Sequence, residues 1–128
     1  MNVLDENIPE SQRTLLRTKR VALRQIGQDL GRKGMKDDDL ISLLHQLARP
    51  TFFTLDSDFY DHRLGHERYC LVYLDVDEDM IAEYVVRLLR HRELNTKAKR
   101  LGCVIRASPT AVTLWRIHQE QELRLTWQ

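Results

Sequence analysis

Four aspartates in three short motifs offer the chemistry in this sequence. Asp5 stands in LDENIP at 4–9, Asp37 opens an aspartate triplet in GMKDDDLISLL at 34–44, and Asp56 and Asp58 lie in TLDSDF at 54–59. Carboxylates gathered at one point repel one another, and burial there raises their pKa values by disfavouring the charged form. A hard divalent cation relieves that conflict. Mg2+ and Mn2+ accept oxygen ligands, keep several waters and share their remaining positions with a phosphate. A water polarised on such an ion attacks phosphorus, while the ion stabilises charge building on the phosphoryl oxygens. The expected metal and catalytic ligands are therefore Asp5, Asp37, Asp56 and Asp58, with Mg2+ or Mn2+ as the cofactor. Each also has a plainer use. Asp37, Asp38 and Asp39 suit a helix cap, Asp56 and Asp58 an Asx turn, and Asp5 a cap for a helix begun near Pro9.

Other site chemistries find less support. His62 and His66 lie four apart without an evident third zinc ligand. Cys70 and Cys103 sit in apolar runs without CxxC spacing, which marks them as small core residues. Trp115 and Trp127 read as packing residues. No Ser/His/Asp order and no glycine-rich phosphate loop stands out.

The acids need elements to hold them. Met1 to Leu4 reads as a strand ending at Asp5, and Pro9 suits the first turn of a helix with Ile8, Leu15 and Leu16 as its buried stripe. Val21 to Ile26 reads as a second strand closed by Gly27, followed by a loop around Gly31 and Gly34. Leu40, Leu43, Leu44 and Leu47 have helical spacing behind the aspartate triplet, and Pro50 ends that element. TFFTL at 51–55 and CLVYLDV at 70–76 are strands apolar on both faces. Asp77, Glu78 and Asp79 then open a helix carrying Ile81, Val85, Leu88 and Leu89. A short helix is expected over 95–101. CVIRA at 103–107, a Ser108–Pro109 turn and AVTLWRI at 111–117 form a final strand pair, and the tail ending LRLTW has no assigned element. Alternating helices and apolar strands predict one α/β domain over 1–128, with a central, mainly parallel sheet and helices on both faces. Ligands of such sheets collect beyond the carboxyl ends of the strands, where all four acids are expected.

The chain has 128 residues, 42% hydrophobic and 30% charged, a balance that suits a packed domain rather than a disordered chain. No run approaches the roughly 20 apolar residues of a membrane span, and the acidic start differs from a signal peptide, so a cytoplasmic protein is expected. The formal net charge of +1 hides segregation. Residues 11–36 hold eight Lys/Arg against Asp29, residues 37–83 hold twelve Asp/Glu against three Arg, and residues 84–106 hold seven Lys/Arg against Glu93. Solvated helix faces would account for each block. Basic flanks around an acidic centre would instead suit a polyanion bound beside held cations. Arg13, Arg17, Arg24, Arg87, Arg90 and Lys97 are the expected contacts to the backbone of such a polyanion.

The ordered motifs LDENIP, GMKDDDLISLL and TLDSDF resemble the PIN-like nuclease domains. The likeness is greatest to the compact branch with an N-terminal Asp-Glu-Asn and a Thr-x-Asp-x-Asp-Phe motif, and it continues through CLVYLDV to the terminal strand pair. The resemblance implies a three-layer α/β sandwich and a Mg2+- or Mn2+-dependent ribonuclease, in many members the toxin of a toxin–antitoxin pair. Carried over by position, it makes Asp5, Asp37, Asp56 and Asp58 the site acids, with Asp38 the alternate to Asp37. Glu6 and Asn7 orient groups around Asp5, and Thr54 is a hydroxyl facing the site. Expected partners are an RNA substrate, a cognate antitoxin protein and a second copy of the chain, with no membrane. Two other functions stay open: a catalytically inactive RNA- or protein-binding module of this fold, and a phosphoacceptor receiver-like domain. The receiver pattern lacks its hydroxyl after CLVYL and its lysine after CVIRA.

Overall fold

Continuously apolar runs become the centre of a sheet because only a strand covered on both faces buries every side chain. In the computed structural model, which describes residues 1–127, β1 (Asn2–Leu4), β2 (Arg24–Gln25), β3 (Thr51–Thr54), β4 (Cys70–Leu74), β5 (Val104–Ala107), β6 (Val112–Trp115) and β7 (Leu123–Leu125) form one sheet. Their order is β2-β1-β3-β4-β5-β6-β7. The first five are parallel, and β6 and β7 join antiparallel. Helix α1 (Glu10–Thr18) links β1 to β2, α2 (Asp37–Gln46) links β2 to β3, and α3 (Ile81–Arg90) with the short α4 (Lys97–Arg100) links β4 to β5.

Strand alternation divides the core into two layers. Leu4, Phe53, Val72 and Ile105 pack with Leu16 of α1 and Ile81, Val85 and Leu88 of α3. Val3, Phe52, Leu71 and Val104 pack with Leu40 and Leu44 of α2. The chain is thus an α/β sandwich with helices on both faces of a mostly parallel sheet. Among the described residues no helix is long and apolar enough to cross a membrane.

Several boundaries differ from expectation. The second strand is two residues long, not six, because it pairs only with β1, itself three residues long. In α1 the buried positions are Gln12 and Leu16, while Leu15 is 44% exposed. Gln12 is used rather than stranded: its Oε1 accepts from the Ala82 amide at 2.9 Å, satisfying an orphan donor at the start of α3. A 3-10 turn over Glu78–Met80 precedes α3. The unassigned tail supplies β7, and Trp127 then donates from Nε1 to the Ser108 carbonyl at 2.7 Å. Cys70 and Cys103 are buried free thiols, pushed up in pKa chiefly by burial.

Candidate metal centre

The strand order reverses at β1, so chain segments leave β1 and β3 towards different sides. The crevice this opens at their carboxyl ends is where doubly wound sheets bind ligands. Asp5 follows β1 immediately. Its amide continues the ladder to the Phe53 carbonyl at 2.9 Å, and its carbonyl, with that of Ile8, accepts from the buried Gln25 amide group at 3.0 and 2.9 Å. The Asp5 carboxylate is equally engaged. Oδ1 accepts from the Glu6 amide at 2.8 Å and Oδ2 from the Thr54 hydroxyl at 2.7 Å.

Thr54 carries the connection onward. Its Oγ1 accepts from the Asp56 amide at 3.0 Å, fixing the chain as it leaves β3. Asp56 Oδ1 then accepts from the Asp58 amide at 2.9 Å and caps the 3-10 turn Ser57–Phe59. Phe59 anchors that turn, edge-on to Phe52 with ring centroids 5.4 Å apart. The third acid arrives from α2, whose Leu40 and Leu44 share a core layer with Phe59. Asp37 is the first residue of α2, which runs antiparallel to the strand that follows it. Ahead of α2, the Gly34 amide donates to both oxygens of Glu6, at 2.9 and 3.1 Å, with Gly34 at φ +76°. Glu6 therefore fixes the approach to Asp37, and a side chain at Gly34 would strain that turn.

Asp37, Asp56 and Asp58 each bring one carboxylate oxygen within 4.8 Å of the others. Asp37 is raised in pKa by loss of water, then by the charges of Asp56, Asp58, Asp5 and Asp38. Asp5 is raised above its ordinary value by burial, against the lowering effect of its two hydrogen bonds, and Glu6 and Asp56 add repulsion. Three of the four expected ligands are thus gathered, and the fourth stands behind them. Both oxygens of Asp5 are held by Thr54 and the Glu6 amide, so its charge reaches the cluster while its atoms brace β1 against β3. Asp38 is exposed outside the cluster, which selects Asp37 from the pair, and Asp39 lies 3.4 Å from Arg32. No side chain of the triplet caps α2, whose N-cap is Lys36. Asn7 is exposed in the turn after Asp5 and lies outside the cluster. Three carboxylates at this spacing fit a hard cation that keeps open positions for water and phosphate.

The basic residues are placed less as expected. Arg13 is mostly buried, donating to Gln25 Oε1 at 2.7 Å and pairing with Glu10 at 3.6 Å, so it serves the β1 exit. Arg17 and Arg24 are exposed, on the last turn of α1 and on the edge strand β2. The guanidinium of Arg87 lies over Tyr84 and Trp127, 4.9 and 4.7 Å from the ring centroids. Lys97 lies beside the Met1 ammonium, whose pKa falls to about 6, chiefly through burial and then through Lys97 and Arg100. The segment 87–100 does not border the acids as expected, because α3 starts at the carboxyl ends of the strands and returns the chain to their amino ends. His62 and His66 line one cavity but pack on different rings, His62 stacking on Trp115 at 4.6 Å and His66 on Tyr69 at 5.8 Å, and no third zinc ligand is grouped with them among the described residues.

A row of polar side chains beside the acids escaped sequence reasoning. Register pairs Thr54 with Tyr73, Tyr73 with Arg106, and Arg106 with Thr113. The row lies one pleat beyond Phe52, Leu71 and Val104, on the face covered by α2. Its mark in the sequence is the interruption of two apolar runs, CLVYL by Tyr73 and CVIRA by Arg106, at the same depth. The chain matches no family model, no curated protein and no solved structure, so the site's own geometry carries the functional reading.

Proposed function

We propose that this chain is a PIN-like, divalent-metal-dependent endoribonuclease, with Asp37, Asp56 and Asp58 holding Mg2+ or Mn2+ and Asp5 supporting them through Thr54. The observation that carries the proposal is the convergence of the three carboxylates from two layers of the fold to within 4.8 Å. The ion supplies a polarised water and charge stabilisation at phosphorus. The protein's residues hold that ion at an open sheet edge, where a single-stranded or looped RNA presents its phosphates without obstruction from a duplex. On the same resemblance, the protein is the toxin of a toxin–antitoxin pair, and a cognate antitoxin would cover this edge. The test is a Mn2+ titration beside cleavage of a mixed RNA pool. Saturable Mn2+ uptake with metal-dependent cleavage is expected, and uptake without cleavage leaves an inactive binding module in its place.

One observation favours a second reading. The order β2-β1-β3-β4-β5 and an aspartate after β3 are shared with phosphoacceptor receiver domains. Against it, the residue following β4 is Asp75, bound to Arg106, and Ala107 ends β5 where a lysine would be needed. Incubation with a small phosphodonor discriminates: stable phosphorylation of Asp56 would displace the nuclease proposal.

A further inference from the structure

A charged side chain in the middle of a seven-stranded sheet needs a reason. Arg106 lies on β5, with β4 and β6 on either side, and it is the cation of the polar row that starts at Thr54. Two strand spacings, roughly 9–10 Å at the backbone, separate Thr54 from Arg106. Tyr73 stands between them, close enough to Asp75, Arg106 and Asp56 for all three charges to act on its phenol. Arg106 gives Nε and Nη2 to the same oxygen, Asp75 Oδ2, at 3.1 and 2.5 Å. Its Nη1 takes no hydrogen bond among the described residues, and its side chain is 42% exposed.

Stability does not account for this pair. Both partners are about two-fifths exposed, and an ion pair so open to water adds little to folding. What the pair does accomplish is orientation: Asp75 holds the guanidinium by one edge and leaves the other towards solvent. A planar guanidinium presented in this way matches the oxygens of a phosphodiester.

We propose that Arg106 binds a backbone phosphate of single-stranded RNA, next along the chain from the one held at Asp37, Asp56 and Asp58, with Tyr73 lying beneath the intervening nucleotide. The inference deepens the nuclease proposal and rests on it for the position of the first phosphate. The sheet edge then has two poles for a polyanion, a cation-holding cluster over β3 and a fixed guanidinium over β5. Asp75 is the positioning residue, since it acts through Arg106.

Equilibrium binding of a short fluorescent oligouridylate, in Ca2+ to hold the site without turnover, over a series of salt concentrations, tests the contact. Each phosphate neutralised by a single-strand binder contributes about 0.7 to the slope of log affinity against log salt. Arg106→Gln should therefore lower the slope by about 0.7 and weaken binding about tenfold at low salt, while Mn2+ uptake stays as in the wild type. Arg106→Lys keeps the charge and should retain the wild-type slope with weaker binding. Asp75→Asn keeps an oxygen that can accept from Arg106 and so hold the guanidinium, but removes the charge that competes with phosphate; it should tighten binding, which keeps the test decisive should Arg106→Gln fold poorly. Wild-type slope in Arg106→Gln, with or without weakened binding, or no tightening in Asp75→Asn would overturn the assignment, as would a wild type that does not bind the oligouridylate. The two proposals fail differently. Arg106-dependent binding without Mn2+-dependent cleavage removes the nuclease and keeps the phosphate contact, whereas cleavage with unchanged KM in Arg106→Gln does the reverse.

Discussion

Asp56 uses its two oxygens for different purposes. Oδ1 caps the turn that carries Asp58, and the other oxygen takes no hydrogen bond among the described residues. A cap and a metal ligand are therefore not alternatives here, and an amide replacement separates them. Asn at position 56 retains an oxygen for the Asp58 amide, and Asn caps about as well as Asp. Asp56→Asn should keep the turn, bind Mn2+ more than about tenfold more weakly and lose most cleavage. Its stability in chelator should match or exceed that of the wild type, because repulsion on Asp37 is relieved. Wild-type Mn2+-dependent cleavage by this variant would remove Asp56 from the site. The raised pKa of Asp37 gives a second expectation. A group that holds its proton more tightly when folded contributes stability below its unfolded value of about 3.8, and loses that contribution as pH rises through the folded value. In chelator, the wild type should therefore lose stability relative to Asp37→Asn as pH rises above that point. Mn2+ should reverse the order, since it binds the ionised carboxylates. Parallel pH profiles for the two proteins in unfolding experiments would show that Asp37 feels no cluster.

Among the elements, β1 and β3 are joined at their carboxyl ends by the Asp5 amide's bond to the Phe53 carbonyl and, between side chains, by one hydroxyl. Thr54 donates to Asp5 and accepts from the Asp56 amide while fully buried. Thr54→Val keeps the shape and removes both bonds, leaving the half-buried Asp56 amide and a buried Asp5 carboxylate oxygen unpaired. A loss of about 1–3 kcal/mol in chelator is expected from urea unfolding, with Thr54→Ser close to the wild type. Equal stability of the valine variant would mean that water already replaces the hydroxyl. The strands that carry this site were legible because β3 and β4 are nearly uninterrupted apolar runs, which few other elements bury. Asp56 and Asp58 were legible because they follow the apolar run TFFTL, and Asp37 because it opens an acidic triplet ahead of leucines at helical spacing. Other features depended on partners far along the chain. Gln12 and Gln25 look like surface residues until Ala82, Ile8 and Asp5 supply their bonds. The length of β2 was set by β1, and the role of Asp5 by Thr54, and neither is written in local sequence. Tyr73 and Arg106 were visible as exceptions within apolar runs, but only register places them side by side.

Across the whole molecule, the small net charge conceals two unlike ends. The carboxyl edge carries the acids, and the amino edge carries the exposed Lys97 and the buried Arg100, which donates to Thr51 at 3.0 Å, beside a Met1 amino group whose pKa of about 6 leaves it largely uncharged at neutral pH. RNA without a divalent cation is repelled by the first and attracted by the second. The two ends therefore predict two binding modes in one protein. In chelator, RNA should collect weakly at the amino edge in a salt-sensitive and sequence-independent way. In Mn2+ the carboxyl edge becomes attractive, and productive binding should shift there. Lys97→Glu distinguishes the modes because Lys97 is exposed and far from the acids. Charge reversal should weaken binding in chelator and leave both Mn2+ uptake and the KM of Mn2+-dependent cleavage within about twofold, since exposed charges more than about 10 Å apart are largely screened at 0.1 M salt. Two measurements on one variant suffice, a chelator binding curve and a cleavage series over RNA concentration. If KM rises as much as chelator binding weakens, RNA reaches the acids by way of the amino edge, and the segment 87–100 belongs to the substrate path after all.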